Sequence, residues 1–200
     1  DYMGSDLSVV NAARVSFAKY HAEFDEKNDT QLINYLAKHN HWSPFGHASM
    51  QFHIKAPMFV ARQLVKHQVG LVWNEVSRRY VDDEPEFYTP TEWRRAAENK
   101  KQGSSDETIE YSVLPAYTFA KQYYENMLDK GVAPEMARMV LPQAMMTEWY
   151  WSGTLYAFAR VCNLRCKSDA QKETQDVGWK IDEIAKKLFP VSWRAIRIYE

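Results

Sequence analysis

Two clusters of polar side chains, separated by a short stretch of chain, have the residue types needed to bind an anionic ligand. In the first, Arg62, Gln63, Lys66 and His67 fall at i, i+1, i+4 and i+5 of a helix predicted to begin at Pro57. That spacing places them on one edge of the helix. The alternative interpretation of this edge is a solvated face of a surface helix.

The second cluster is denser and supplies amide, carboxylate, hydroxyl and guanidinium groups within one short segment, Asn74-Glu75-Val76-Ser77-Arg78-Arg79-Tyr80. Arginine binds phosphate through a bidentate fork, and serine can add a hydrogen bond to the same group. Glutamate or asparagine can orient a ribose or a base. Together the two clusters predict a site for a nucleotide monophosphate.

Composition and net charge argue against several other classes of protein. The net charge of -1 gives no overall attraction to nucleic acid or to anionic membranes. No apolar run approaches the roughly 20 residues of a membrane helix, so we expect neither a membrane helix nor a secretory signal. Cys162 and Cys166 do not form a disulfide framework, so we expect a cytoplasmic protein. His39, His41 and His47 lack a further ligand of the usual kind, so we expect no metal site.

Hydrophobic periodicity predicts mostly helices with a few strands. Strict alternation predicts strands at Ser49 to Lys55 and Met145 to Trp151. Helical spacing predicts a helix from Pro57 to about His67 and one from Gly153 to Asn163. A longer helix is expected from Glu107 to Lys130, with Pro115 implying a bend or a late start. The preceding segment, Glu98 to Asp106, is expected to be a flexible loop.

The few predicted strands lie too far apart for βαβ units, so we expect an α+β fold with a small and mostly antiparallel sheet surrounded by helices. The length of 200 residues suits a single domain over residues 1–200. The sequence opens with Asp1 rather than Met, so a preceding N-terminal strand could lie outside it.

Over nearly its whole length the chain resembles the flavin-dependent thymidylate synthases. The resemblance is carried by Gly4-Ser5-Asp6-Leu7-Ser8, Ala12 to Phe17, His41-Trp42-Ser43-Pro44-Phe45-Gly46-His47, Phe52 to Pro57, Phe59 to Gln63, Asn74 to Tyr80, Glu86-Phe87-Tyr88, Ala137 to Pro142 and Asn163-Leu164-Arg165. Their order matches the family throughout. The resemblance implies the fold of that family and a reductive methylation of dUMP to dTMP.

The chain departs from the family at its signature, which is Arg-His-Arg, seven residues and then Ser. Here the matching stretch is Lys66-His67-Gln68, eight residues and then Ser77. Lys66 keeps a positive charge without the planar fork, and Gln68 keeps hydrogen bonding without the charge. We therefore expect weaker or rearranged binding of the FAD pyrophosphate.

The resemblance implies dUMP contacts at Arg62, Gln63, Lys66, Glu75, Val76, Ser77, Arg78, Arg79, Arg138 and Arg165. Arg165 is the implied catalytic residue. A guanidinium beside the uracil stabilises negative charge that develops on the base and so makes its 5-position a better nucleophile.

The implied FAD contacts are His41, Ser43, Lys66, His67, Gln68, Asn74, Glu75, Thr154, Tyr156 and Arg160. Arg160 stands where the family commonly has Asn, and Asp169 where it often has His. One hypothesis is that Arg160 restores part of the positive charge lost at Gln68.

The resemblance further implies NADPH and methylenetetrahydrofolate as co-substrates and a homotetramer with shared active sites. Two other functions stay open at this point. The altered signature allows a non-catalytic member that binds nucleotide or flavin. A nucleic-acid-binding module that uses Lys66, Arg78 and Arg79 is disfavoured by the near-zero net charge.

Overall fold

The computed structural model describes residues 1–98 and 103–199. Its α-helices are α1 (Asp6–Arg14), α2 (Asn28–Lys38), α3 (Met58–Leu64), α4 (Leu114–Asp129), α5 (Pro134–Ala137), α6 (Leu155–Arg165), α7 (Lys172–Leu188) and α8 (Pro190–Ile196). Its strands are β1 (Tyr2–Met3), β2 (Ser49–Pro57), β3 (Leu71–Glu75), β4 (Trp93–Ala96), β5 (Ser104–Ile109) and β6 (Met146–Thr154). Short 3-10 helices occupy Val15–Phe17, Ser43–His47 and Arg138–Val140.

The principal sheet has the strand order β1-β2-β6-β3, and β4 pairs with β5 in a separate antiparallel hairpin. Antiparallel pairing of β2 with β6 is evident at both ends. Leu155 donates its backbone N–H to the Ala48 carbonyl at 2.8 Å, and Met58 donates to the Met145 carbonyl at 2.9 Å. The α+β class with a small antiparallel sheet is thereby confirmed.

Alternation along β2 and β6 gives the sheet one buried and one polar face. Met50, Trp149 and Trp151 are buried, whereas His53 and Lys55 of the intervening positions are exposed. Because successive side chains point to opposite faces, this pattern places polar groups of both strands on the same side of the sheet. That polar side supplies part of the candidate site.

The chain divides into two compact units, and β2, β3 and β6 each run from one unit into the other. The first unit comprises residues 1–52, 67–73 and 151–200, with a core that includes Val10, Ile33, Phe158 and Trp193. Each fully buried side chain of this size contributes about 1.5–3 kcal/mol of transfer free energy. Asp6 also ties the N-terminal helix to α8, because its carboxylate accepts the backbone N–H groups of Val191 (3.0 Å) and Ser192 (2.8 Å).

The second unit comprises residues 53–66 and 74–150. Val60, Leu64, Tyr124 and Trp149 are buried in it. The segment after β3 is held by α4, because the Tyr117 hydroxyl donates to the Tyr88 carbonyl at 2.9 Å. The second unit contains α3, α4, α5 and the β4–β5 hairpin.

Several element predictions need correction. The helix expected from Glu107 begins only at Leu114, with Pro115 in its first turn, because Glu107, Thr108 and Ile109 belong to β5. Of the flexible loop expected at Glu98 to Asp106, residues 99–102 lie outside the described chain, while Ser104 to Asp106 open β5.

Two helix boundaries in the structure also differ from the predicted ones. The helix expected to reach about His67 ends at Leu64, because the chain must turn at Gly70 (φ +77°) to enter β3 at Leu71. The helix expected from Gly153 begins at Leu155, since β6 continues to Thr154 and Thr154 caps the helix.

Candidate functional site

A cavity of about 820 Å³ opens in the second unit. Among the residues predicted to bind a nucleotide, Arg62, Glu75, Val76, Ser77, Arg78 and Arg138 line it. The remaining lining residues are Lys55, Met58, Val81, Asp83, Glu84, Glu86, Met139, Leu141, Pro142, Gln143, Met145, Met146, Thr147 and Glu148. Its size is in the range of small-molecule sites.

Local structure explains why the second polar cluster reaches this cavity. β3 ends at Glu75, and the backbone N–H of Val76 donates to the Glu148 carbonyl of β6 at 2.9 Å. The chain then turns, because Tyr80 and Val81 donate their N–H groups to the Ser77 carbonyl at 3.0 and 3.2 Å. The turn leaves the side chains of Ser77 and Arg78 in the cavity lining.

Arg138 comes from a distant part of the sequence. It opens the 3-10 helix after α5, and its Nε donates to the Glu135 carbonyl at 3.1 Å. Arg62 is supplied by the exposed side of α3. Three arginines, Arg62, Arg78 and Arg138, thus line one cavity, an arrangement suited to a phosphate.

The acidic residues of the lining are largely neutralised. Asp83 pairs with Arg78 at 2.9 Å, Glu86 with Lys55 at 2.5 Å, and Glu84 with Lys121. Hydrogen bonding to Glu86 raises the pKa of Lys55, so this pair stays ionised. Arg62 and Arg138 take part in none of these three pairs, which leaves their positive charge to act on a ligand.

Glu75 is oriented within the lining by Thr147, a contact that the sequence did not reveal. The Thr147 hydroxyl donates to Oε1 of Glu75 at 2.8 Å, and Thr147 is buried in β6. On the neighbouring position of β6, Glu148 accepts from His53 Nε2 at 3.0 Å, and the His53 ring stacks on Tyr150 with centroids 4.8 Å apart. Alternation in β2 and β6 was the available signal for Lys55 and Glu148, whereas nothing local pointed to Thr147.

Other residues predicted to contact dUMP lie outside this lining. Arg79 is half-exposed, with its guanidinium over the Tyr80 ring at 5.3 Å and its Nε 3.8 Å from a Glu135 carboxylate oxygen. Gln63 and Lys66 are not among the lining residues, and Arg165 belongs to the first unit.

In the first unit, residues predicted to contact FAD gather around α6. Thr154 caps this helix, since its hydroxyl accepts the Ala157 N–H at 3.2 Å. Trp42, which is flanked by His41 and Ser43, contacts the Tyr156 ring with centroids 6.0 Å apart. Arg160 lies exposed further along the same helix. Lys66, Asn74 and Glu75, also predicted for FAD, belong to the second unit.

The stretch from Val69 to Trp73 packs closely against the start of α6. Thr154 donates its N–H to the Gly70 carbonyl at 3.1 Å. A Cβ at Gly153 would lie 2.4 Å from Leu71 Cδ2 and 2.6 Å from the Gly70 carbonyl oxygen. Glycine is therefore required at 153 for the chain carrying Gln68 to approach α6.

His67 and Arg165 are in direct contact within the first unit. Nε of Arg165 donates to Nε2 of His67 at 3.0 Å. Partial burial, followed by the charges of Arg165 and Arg160, lowers the pKa of His67 to about 4. Burial also lowers the pKa of Arg165. The imidazole is therefore neutral near neutral pH and serves as a hydrogen-bond acceptor.

The side chains around α6 fit a flavin nucleotide by their chemistry. Arg160 and Gln68 offer donors for a pyrophosphate, and the N-terminal end of α6 adds a positive partial charge. Trp42, 57% exposed, presents an aromatic face to solvent, as a stacking partner for a planar ring must.

Within residues 1–98 and 103–199, no group of three or more metal-ligating side chains is brought together. Over the same residues no helix is long and apolar enough to cross a membrane.

The structure shows an α+β fold with a cavity that three arginines line, an arrangement suited to an anionic ligand. A family model described as thymidylate synthase complementing protein matches residues 1–191. The chain belongs to this family of flavin-dependent thymidylate synthases, which are methyltransferase enzymes.

Relatives named flavin-dependent thymidylate synthase include one from Thermus thermophilus, 40% identical over 199 residues that cover 98% of this chain and 73% of the relative. Another, from Kosmotoga olearia, is 40% identical over 202 residues, with 98% and 86% covered. A solved structure of the UMP/dUMP methylase PolB from Streptomyces cacaoi, bound with 5-Br dUMP, superposes with a TM-score of 0.86 at 32% identity, covering 98% of this chain and 91% of that one. The resemblance inferred from sequence is confirmed.

Proposed function

We propose that the chain catalyses the reductive methylation of dUMP to dTMP, with methylenetetrahydrofolate as carbon donor and NADPH as reductant, through FAD. The observation that carries this proposal is the cavity of the second unit, which Arg62, Arg78 and Arg138 line together with Ser77. The relatives' names and the nucleotide bound to PolB support the same ligand class.

In this proposal the phosphate of dUMP binds among the arginines of the cavity. Arg62 and Arg138 supply charge that the acidic residues of the lining do not neutralise, and the Ser77 hydroxyl adds a hydrogen bond. Arg78 exchanges its partner Asp83 for phosphate or holds the turn that presents Ser77. Gln63, Lys66, Val76 and Arg79 complete the proposed nucleotide contacts.

Glu75 is proposed to accept hydrogen bonds from the ribose or the base. Its carboxylate has a fixed orientation because the Thr147 hydroxyl donates to Oε1 at 2.8 Å. A carboxylate held in this way needs little reorganisation when the ligand arrives.

Arg165 is proposed as the catalytic residue. Its guanidinium stabilises the negative charge that develops on the uracil as the 5-position attacks the carbon donor. The lowered pKa that burial gives Arg165 does not change this role, because arginine stays protonated throughout the physiological range.

The residues proposed to hold FAD are His41, Ser43, Lys66, His67, Gln68, Asn74, Glu75, Thr154, Tyr156 and Arg160. When bound and reduced, the flavin supplies the hydride that converts the transferred methylene to a methyl group. Arg160 would neutralise part of the charge of its pyrophosphate, and Trp42 with Tyr156 would exclude water from one side of its ring system.

We also propose a homotetramer in the cytoplasm. Large apolar side chains remain exposed on the single chain, among them Val72 (65%), Phe119 (60%) and Met139 (78%), and such surface is typical of subunit contacts. Cys162 and Cys166 are free thiols, as a reducing compartment requires. Light scattering on the purified protein tests the tetramer, and a monomer at micromolar concentration would contradict it.

Steady-state turnover tests the proposed reaction. The purified protein is incubated with FAD, NADPH, methylenetetrahydrofolate and dUMP labelled with tritium at C5, and tritium release and dTMP are measured. We expect both products to depend on all four components. A protein that takes up FAD and dUMP without forming dTMP would instead be a non-catalytic binding member of the family.

UMP is a second candidate substrate. A second structure of PolB, bound with 5-Br UMP, superposes with a TM-score of 0.81 at 31% identity. The same assay run with UMP separates the two possibilities by the ratio of kcat/KM for dUMP and UMP. A ratio near one would make this chain a methylase of both nucleotides.

A further inference from the structure

The contact between His67 and Arg165 has a defined direction. Nε of a guanidinium carries a hydrogen and can only donate, so Nε2 of His67 must accept the bond, which is 3.0 Å long. The imidazole is therefore neutral, with its proton on Nδ1. The two residues are 98 positions apart in the sequence, so the fold of the first unit brings them together.

The surroundings maintain this state of the ring. Burial is the largest cause of the lowered pKa of His67, and the positive charges of Arg165 and Arg160 act in the same direction. Protonation would replace the hydrogen bond with repulsion between an imidazolium and two guanidinium groups. The acceptor at Nε2 is thus present across the neutral pH range.

We propose that His67 is a positioning residue that fixes the plane and direction of the Arg165 guanidinium for its action on the nucleotide. Arg165 is the last residue of α6. A bond at Nε constrains the guanidinium plane without using either terminal Nη group for that contact. The inference rests on the proposed function, in which Arg165 acts on the uracil.

This role is separate from the flavin contact proposed above for His67, and the two can be distinguished by experiment. A flavin ligand would act on FAD affinity and would be independent of Arg165. A positioning residue acts through Arg165, so the effect of removing it must vanish once Arg165 is gone.

The test is a double-mutant cycle on the dissociation constant of dUMP, measured by calorimetry with FAD present in excess. His67→Phe keeps a ring of similar size and removes the acceptor, and His67→Gln retains an acceptor oxygen. We expect His67→Phe to weaken dUMP binding by roughly 5- to 10-fold, as for loss of one hydrogen bond, and His67→Gln to restore much of it. In an Arg165→Ala background, His67→Phe is expected to change the constant by less than about 2-fold.

Two results would overturn the proposal: independent, multiplying effects of His67→Phe and Arg165→Ala, or a His67→Gln protein as impaired as His67→Phe. Urea unfolding of each variant checks that the fold is retained. FAD titration of His67→Phe separates the roles, since a loss confined to FAD affinity assigns His67 to the flavin instead.

A measurement independent of catalysis distinguishes failure of this inference from failure of the proposed function. Nitrogen-15 NMR of the imidazoles is expected to show His67 protonated at Nδ1 only, and Arg165→Ala is expected to raise its pKa. A His67 ring protonated at Nε2 contradicts the inference even if dTMP is formed. A protein with the expected ring state that binds no dUMP contradicts the proposed function and, with it, the positioning role.

Discussion

The cavity of the second unit and the surroundings of α6 in the first unit differ in how the chain assembles them. In the cavity, Glu75 to Arg78 are consecutive, so covalent geometry alone keeps their groups together, and Arg62 and Arg138 are added from two helical segments. Around α6, the proposed flavin residues come from the 3-10 helix at Ser43–His47, from the turn before β3 and from α6 itself.

This difference has a physical consequence. A site made of one continuous segment tolerates change elsewhere, because its groups stay adjacent whatever the neighbouring elements do. A site assembled from separate elements depends on close packing between them, such as the approach of Gly70 to Thr154. The family resemblance implies departures at Gln68 and Arg160, which lie in the second kind of region, and a match over the run from Asn74 to Tyr80.

The largest effect is expected from Arg165→Ala, which tests whether the first unit contributes to catalysis as well as to cofactor binding. Loss of one preorganised group that stabilises developing charge lowers kcat by about 100- to 1000-fold. The measurement is dTMP formation at saturating dUMP and FAD. Arg165→Lys, which keeps the charge but not the Nε donor to His67, is the matched control and should retain more activity. A fully active Arg165→Ala protein would remove the role assigned to this residue.

Gly153→Ala tests the close packing in the first unit. The added Cβ would lie 2.6 Å from the Gly70 carbonyl oxygen, which is backbone and cannot rotate away. We expect a loss of about 1–3 kcal/mol in the free energy of unfolding. Urea denaturation measures it.

Gly46→Ala is the control for this substitution, because its nearest neighbour would be Trp42 Cζ3 at an ordinary 3.7 Å. FAD affinity should fall in Gly153→Ala along with stability, while the cavity of the second unit is unaffected. Equal stabilities of the two variants would show that the tight approach at Gly153 relaxes without cost.

Thr147→Val tests the contact that orients Glu75 in the cavity, because it removes one hydroxyl from a buried strand position. Without the Thr147 donor, Glu75 loses one of the contacts that orient it, and we expect dUMP affinity to fall by about 5-fold, equivalent to roughly 1 kcal/mol. Thr147→Ser restores the donor and should recover most of the affinity. If the Val and Ser proteins bind dUMP equally, the orientation of Glu75 does not depend on Thr147.

The smallest effect concerns the pH dependence of stability. His67 stays neutral in the folded chain down to about pH 4, whereas in the unfolded chain it takes up a proton near its ordinary pKa of 6.5. Between these values the unfolded state binds more protons, so the free energy of unfolding decreases as the pH falls. Because the ring is only half-buried, we expect the loss to be roughly 1 kcal/mol.

Comparison with His67→Gln isolates this contribution, since the variant has no group that titrates at this position. The difference in unfolding free energy between the two proteins should be constant above about pH 7 and should change between pH 6.5 and 4. A difference that does not vary over that window would mean that His67 titrates normally in the folded chain.

The sequence alone predicted those helices and strands whose own residues show a clear hydrophobic pattern. β2 and β6 were found because they alternate, and the helices because of their apolar spacing. β5 was missed, since Ser104, Ser105, Asp106 and Glu107 are polar and become a strand only through pairing with β4. β3 was missed because its register depends on β6 rather than on its own residues.

In the candidate site, too, local features could be predicted from the sequence, and contacts between distant residues could not. The run from Glu75 to Arg78 was readable because its chemistry lies in consecutive residues. The contacts Thr147–Glu75 and Arg165–His67 join positions 72 and 98 residues apart, and such pairs are created by the fold. No local pattern could have found them.

The most direct test of the account is a crossed measurement of dUMP and FAD dissociation constants for Arg138→Ala in the second unit and Arg160→Ala in the first. We predict that Arg138→Ala weakens dUMP binding by about 10-fold or more and leaves FAD binding within about 2-fold, and that Arg160→Ala does the reverse. If Arg138→Ala leaves dUMP binding unchanged, or if Arg160→Ala weakens dUMP binding more than FAD binding, the assignment of nucleotide to the cavity and of flavin to α6 is wrong.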